Sequence, residues 1–210
     1  MRGKYKTMTR HFMAFSAAFA LFTAISLPTP AYAFDWYGGA NAGNNRYEVS
    51  SGDYFPHQTF SGTTDGEHGA WKAFVGMRLI DKYVSAEFGY MNLGSASIRG
   101  TISGVPVSAS SKTETYTAAL VGLIPMGKKF GGLIELGLHA PQADITTTTA
   151  GVSSTQHTSD MKFFGGLGAQ FDFTDKISAR LEYERFVMGS VGPAYANVLS
   201  VGFTYLFYTE

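Results

Sequence analysis

The feature that most limits the fold of this chain is a rhythm. From residue 35 onward, segments of about ten residues alternate polar and apolar side chains, and the connections between them alternate short and long. Strands are expected at 35–49, 70–79, 83–94, 113–124, 130–140, 161–173, 177–187 and 197–208, eight in all. Successive side chains of a strand point to opposite faces, so each segment sorts its residues into two sets. In 70–79, Trp71, Ala73, Val75, Met77 and Leu79 share one face, and Lys72, Phe74, Gly76 and Arg78 the other. Segment 83–94 opposes Val84, Ala86, Phe88 and Tyr90 to Ser85, Glu87 and Gly89; segment 130–140 opposes Ile134, Leu136 and Leu138 to Glu135, Gly137 and His139. In 161–173, Phe163, Gly165, Leu167, Ala169 and Phe171 oppose Lys162, Phe164, Gly166, Gly168 and Gln170. In 177–187, Ala179, Leu181 and Tyr183 oppose Arg180, Glu182 and Glu184. Only 113–124 leaves the choice of face open, because part of it is apolar on both sides.

Connections 80–82, 125–129 and 174–176 read as short hairpin turns, whereas 50–69, 95–112, 141–160 and 188–196 are longer and rich in Gly, Ser and Thr. Strict alternation puts every short turn at one end of a meander and every long loop at the other. Bacterial outer-membrane barrels have this asymmetry, with tight periplasmic turns and extended extracellular loops. A soluble barrel would bury its apolar face and expose its charges. Two observations favour the inverted arrangement. Glycines and charges share a face, as a narrow lumen requires, and aromatics (Trp36, Tyr37, Trp71, Tyr90, Phe130, Phe171, Phe173, Tyr183, Phe207, Tyr208) gather near strand ends, where girdles meet the membrane interfaces. The expected fold is all-β, an eight-stranded antiparallel up-and-down transmembrane β-barrel. Closure leaves no backbone group unpaired in lipid, and eight strands enclose only enough space for side chains to fill, so an open diffusion pore is not expected.

Residues 1–10 are basic, 12–27 form an apolar run, and Ala31-Tyr32-Ala33 is a small-x-small cleavage pattern, so 1–33 reads as a secretory signal peptide and 34–210 as the barrel domain. Without Arg2, Lys4, Lys6 and Arg10 the chain keeps 12 basic against 16 acidic residues, which gives nucleic acid no basic footprint. Cysteine is absent, which excludes disulfides, thiolate metal sites and thiol nucleophiles. Charged residues make up 15%, against roughly 25% in soluble domains. Such a chain needs surroundings that are not wholly aqueous.

The expected inward-facing polar network is Arg78, Glu87, Glu135, Lys162, Arg180, Glu182 and Glu184, and the expected aromatic girdle is Trp36, Trp71, Tyr90, Phe171, Tyr183 and Phe207. Enclosed charges must pair, so the network reads as a satisfied interior that holds the barrel's shape, with a regulated ion path as the alternative. His157-Thr158-Ser159 has a His-x-Ser spacing found in small-barrel lipid deacylases but lies in a Thr/Ser loop with no acid at matching spacing beyond Asp172. His57 and His68 with Asp53, Asp65 and Glu67 share one polar loop, a pattern that arises readily by chance. No catalytic residue, metal or cofactor is therefore expected, and the chain does not read as an enzyme.

Several segments resemble the transmembrane domain of outer membrane protein A and its small-barrel relatives: Trp36-Tyr37-Gly38-Gly39-Ala40, Glu87-Phe88-Gly89-Tyr90, Gly165-Gly166-Leu167-Gly168-Ala169-Gln170-Phe171-Asp172-Phe173-Thr174, Arg180-Leu181-Glu182-Tyr183-Glu184-Arg185-Phe186, and Leu199 through Phe207. The resemblance implies insertion by the outer-membrane assembly machinery, which reads an amphipathic last strand ending in an aromatic, here Phe207. It also implies a lumenal acid–base pairing at Glu87 and at Arg180 with Glu182, while Gln170 stands where a second acid belongs and Val121 where a lysine belongs. Expected partners are outer-membrane lipid, lipopolysaccharide and the assembly machinery, with a surface ligand possible through the loops and a monomeric state. The function that follows is a porin-like structural barrel of the Gram-negative envelope. An adhesin or host-factor receptor, or a narrow ion channel, is the alternative.

Overall fold

The computed structural model describes residues 35–48, 60–158, 160–188 and 193–208. The expected signal segment lies outside them. Ten strands follow in order: β1 Trp36–Glu48, β2 Phe60–Asp65, β3 Glu67–Ile80, β4 Val84–Ile102, β5 Val105–Pro125, β6 Phe130–Thr149, β7 Val152–Thr158, β8 Lys162–Asp172, β9 Ile177–Val187 and β10 Tyr195–Tyr208. Eight of them close a ring, β1-β3-β4-β5-β6-β8-β9-β10 and back to β1, every pairing antiparallel. The first and last strands seal the ring with Trp36 opposite Tyr208 and Glu48 opposite Tyr195. No helix among the described residues is long and apolar enough to cross a membrane.

The wall is inverted relative to a soluble barrel. Leu136, Leu167, Val201 and Phe203 point outward and are 59–68% exposed, while Glu87, Glu135, Lys72, Arg180, Glu182 and Glu184 are all 7% exposed or less. An uncovered apolar belt around a charged interior is stable only with hydrocarbon outside. Strand β5, whose facing the sequence leaves open, turns Thr113, Thr115, Thr117, Ala119 and Val121 inward and Tyr116, Ala118 and Leu120 outward.

The long connections differ from the sequence expectation. Segment 95–112 is strand almost throughout: β4 and β5 stay paired to Ile102 opposite Val105, joined by Ser103-Gly104. In the same way β6 runs on to Thr149 and pairs with β7 across Ala150-Gly151. Both dipeptides hold positive φ at each residue (50° and 81°, 49° and 83°), the mirror-image turn whose twist matches a hairpin. The cause is composition. Thr and Val are stiff at χ1 and suit a pleated strand, so a Thr/Ser tract next to a tight turn prolongs the ladder rather than looping away. Strand β2, inside the expected first loop, pairs with the upper part of β4, from Phe60 opposite Ile102 to Asp65 opposite Ser97. A five-stranded sheet, β2-β4-β5-β6-β7, therefore stands on the rim with the long connections.

Between Asn92 and Gly94 the register of β4 slips by one residue, with Gly94 at φ 78° and its N–H donating to Asn92 Oδ1 at 2.9 Å. Below the bulge, Ser85, Glu87, Met91 and Leu93 point inward. Above it, Ala96 and Ile98 do.

Candidate functional site: the filled lumen and the rim sheet

The lower and middle lumen holds a continuous network of ions. Arg180 on β9 reaches Glu87 on β4 with Nη1 2.6 Å from Oε1, and its Nε donates to Gln170 Oε1 at 3.0 Å. The hydroxyl of Tyr37 on β1 donates to the same Glu87 oxygen at 2.6 Å. Lys72 on β3 is the second cation: Nζ lies 2.9 Å from Glu182 Oε2, 2.9 Å from Glu184 Oε1 and 3.7 Å from Glu135 Oε2. Asn41 Nδ2 donates to Glu182 Oε2 at 2.6 Å. Arg180 and Glu182, 3.5 Å apart, join the two halves. Arg180 also lies over the Tyr37 ring at 5.3 Å, and Lys72 over Phe74 at 5.2 Å.

The acids can crowd together because of a missing side chain. Glu135 and Glu184 both stand opposite Gly166, on either side of β8. A Cβ at Gly166 would meet Glu184 Cγ and the Tyr183 carbonyl at 3.1 Å and Glu135 Cβ at 3.6 Å. Carboxylate oxygens of Glu135, Glu182 and Glu184 lie within 4.8 Å of one another, and the Lys72 ammonium already serves this trio as its cation. Four carboxylates thus face two cations, and Glu184 Oε2 is buried with no hydrogen-bond partner. The network is held together by opposite charge but is over-supplied with acid.

Above the ions the lumen turns apolar. Phe164 and Phe186 stack at 4.8 Å with their planes 7° apart, among Met91, Leu93, Ala96, Ala196 and Val198. His139 stands edge-on to Phe186 at 5.1 Å; its Nε2 donates to the Val187 carbonyl at 2.9 Å and its Nδ1 lies 3.1 Å from Thr115 Oγ1. Between the charged middle and the rim with the long connections, these rings and aliphatic side chains share the interior with the buried polar His139, Thr115, Thr113 and Asn45.

Of the residues expected in the polar network, the structure brings together Glu87, Glu135, Arg180, Glu182 and Glu184. Arg78 stands apart at the mouth with the short turns, 3.2 Å from Asp35. Lys162 starts β8 at the opposite end, is about one-third exposed, and has as its ion-pair partner among the described residues Asp160 at 4.0 Å. Lys72, which shares a face with Arg78, is absent from the network expected from sequence, yet its ammonium is the cation nearest three of the four carboxylates. Tyr37 is likewise lumenal rather than girdle, and 5% exposed.

The girdle residues Trp36, Trp71, Phe171, Tyr183 and Phe207 point outward, 41–53% exposed, and Tyr90 is half-buried between Trp71 at 5.4 Å and Tyr116 at 5.5 Å. On the lower side Phe171 contacts Phe173 at 5.2 Å. Tyr183 stands opposite Leu199, eight residues from Phe207 on β10. That is about 27 Å along a strand and roughly 20 Å of height at a tilt near 40°, close to the thickness of an outer-membrane apolar band.

Ser159, His57 and Asp53 and the side chains of His157 and Thr158 fall outside the described residues. His68 lies 3.8 Å from Asp65, and Glu67 pairs with Arg46 at 3.5 Å.

Solved barrels share this architecture. OprG of Pseudomonas aeruginosa is 15% identical with a TM-score of 0.59, the match covering 84% of this chain and 97% of that one. Neisserial surface protein A is 13% identical with a TM-score of 0.54, covering 82% and 97%. Ail, the attachment invasion locus protein of Yersinia pestis, is 14% identical with a TM-score of 0.50, covering 82% and 99%. At such identities the likeness is one of fold. No curated protein sequence matches the chain. The outer membrane protein beta-barrel domain family matches residues 17–207. With that match over nearly the whole chain and an apolar belt around a closed charged axis, the chain belongs to this family and is a protein of the outer membrane.

Proposed function

We propose that this barrel is a non-conducting structural element of the outer membrane that carries a rigid β-sheet above the outer leaflet as its interaction surface. The observation that carries the reading is the filled axis: an ionic layer capped by the Phe164–Phe186 stack and its aliphatic neighbours. Residues 1–33 serve as the cleaved export signal in this reading, supported by their basic, apolar and small-x-small order. The mature barrel inserts as a monomer through the assembly machinery, supported by the amphipathic last strand with Phe207 outward near its end. Catalysis has no part in it.

Planar-bilayer recording tests the sealed axis. Purified protein is expected to give no reproducible conductance steps, and steps of constant size would overturn the reading in favour of a narrow channel. Attachment to a host factor is the second reading, favoured by the hairpins standing above the membrane. It requires that deleting 97–108 or 146–155 abolish cell attachment while the barrel still shifts on a heat-modifiability gel.

A further inference from the structure

The register of the extramembranous sheet places its outward side chains in two complete rows. One row runs Thr63, Arg99, Ser108, Thr148, Ser153 across β2, β4, β5, β6 and β7; the next runs Asp65, Ser97, Ser110, Thr146, Thr155. Eight of these ten positions are hydroxyls. Neighbouring strands lie about 4.8 Å apart and alternate residues about 6.7 Å apart, so the hydroxyls form a regular lattice. Cross-strand bonds between Thr148 Oγ1 and Ser153 Oγ at 2.8 Å, and between Thr146 Oγ1 and Thr155 Oγ1 at 3.1 Å, order its outer edge. Arg99 is exposed and has no ion-pair partner among the described residues. On β4 and β5 the opposite face is apolar, with Ile98, Val107 and Ala109 packed against Phe60 and Ile102, so the hydroxyl side of these strands is held outward by a small core; on β6 and β7 the opposite face carries Thr147, Thr149 and Ser154.

This face continues the lipid-facing wall. On β5 the outward set runs without a register break from Leu120, Ala118 and Tyr116 in the belt to Ser110 and Ser108. Ser110 and Ser108 lie six and eight residues beyond the Tyr116 girdle, about 15–20 Å above it on a tilted strand. Whatever lipid packs against Leu120 with its tails presents its headgroup to the rows. No aromatic or aliphatic anchor occurs among the ten positions, which is a poor surface for a protein partner that needs a desolvated hot spot. Hydroxyls that both donate and accept match a polyhydroxyl ligand, and a free guanidinium matches its acidic substituents. We infer that the outward Ser/Thr face of this sheet is a saccharide-contact surface, occupied in the same membrane by the core sugars of neighbouring outer-leaflet lipopolysaccharide.

The inference rests on the sheet standing above the outer leaflet, as proposed above, and is independent of whether the axis conducts. Its test is amide hydrogen exchange of the full mature barrel in nanodiscs containing lipopolysaccharide with a complete core, lipid A without core sugars, or phosphatidylethanolamine alone. Segments 97–110 and 146–155 are expected to exchange at least severalfold more slowly with the complete core than with lipid A, while β9 is unchanged in all three. The combined substitution Ser108→Val, Thr146→Val, Thr148→Val puts a strand-compatible β-branched residue at each position and should remove that difference with β9 protection intact. Equal exchange in complete-core and lipid A discs overturns the inference, as does protection that survives the valine substitutions. Protection by lipid A alone that is lost in Arg99→Gln assigns the contact to phosphate, and so also overturns it.

Discussion

Strands β4 and β5 run through two regions whose polarity is reversed. Within the membrane their outward residues are Phe88, Leu120 and Tyr116 and their inward ones include Glu87, Thr115 and Thr117; above it the outward residues are Ser97, Arg99, Ser108 and Ser110, and the inward ones Ile98, Val107 and Ala109. The same two strands thus form a wall turned inside out and, a few residues later, an ordinary sheet with an apolar underside. A strand has no intrinsic inside. Each face takes the polarity of what it meets, lipid below and water above. On β4 the change needs a phase shift, and the one-residue slip between Asn92 and Gly94 supplies it. Without it Ile98 and Ile102 would face water and Arg99 the enclosed side.

The comparison can be broken at several points. The largest effect is expected at Lys72, the cation shared by Glu135, Glu182 and Glu184. Lys72→Met strands their carboxylates and should lower unfolding stability by about 3–5 kcal/mol, read from denaturant titration in bilayers. Next is a pair on one face of β6. Leu136→Arg puts a charge into the belt and should cost about 2–4 kcal/mol, whereas Thr148→Arg, twelve residues higher on the same outward face, should stay within about 0.5 kcal/mol. Equal costs would remove the boundary between the regions.

Ile98→Ser sharpens the other side. It empties a fully buried position of the upper core, so amide exchange in 97–110 should accelerate while the barrel's midpoint moves little. Within the ionic network the smallest effect is expected at Glu135→Gln. Four carboxylates meet two cations there, so removing one charge and keeping the shape should change stability by less than about 1 kcal/mol, in either direction.

The barrel itself was legible because period-two alternation and the short-long order of connections survive in any single strand, and Glu135 against Leu136 or Glu182 against Leu181 sorts itself without neighbours. Lys72 was not, because being a lumenal residue and being at the centre of the network are different facts. The second depends on which carboxylates three other strands place at its height, and on Gly166 leaving them room. The hairpin extensions were half legible: Ser103-Gly104 and Ala150-Gly151 are turn dipeptides, but a Ser/Thr tract reads as loop until a pairing partner is known. The phase slip at Gly94 was hidden altogether, since one extra residue reverses the alternation that defines the faces.

The absence of cysteine makes the central claim directly measurable, because each introduced cysteine is the sole labelling site. Spin labels at Leu136→Cys, Leu167→Cys and Val201→Cys, compared with Thr148→Cys and Ser108→Cys, can be exposed in bilayers to oxygen, which concentrates in hydrocarbon, and to a water-soluble nickel chelate. The account predicts collisions with oxygen and almost none with nickel at the first three positions, and the reverse at the last two. Nickel access at Leu136 and Leu167 equal to that at Thr148, with the protein folded, would contradict it.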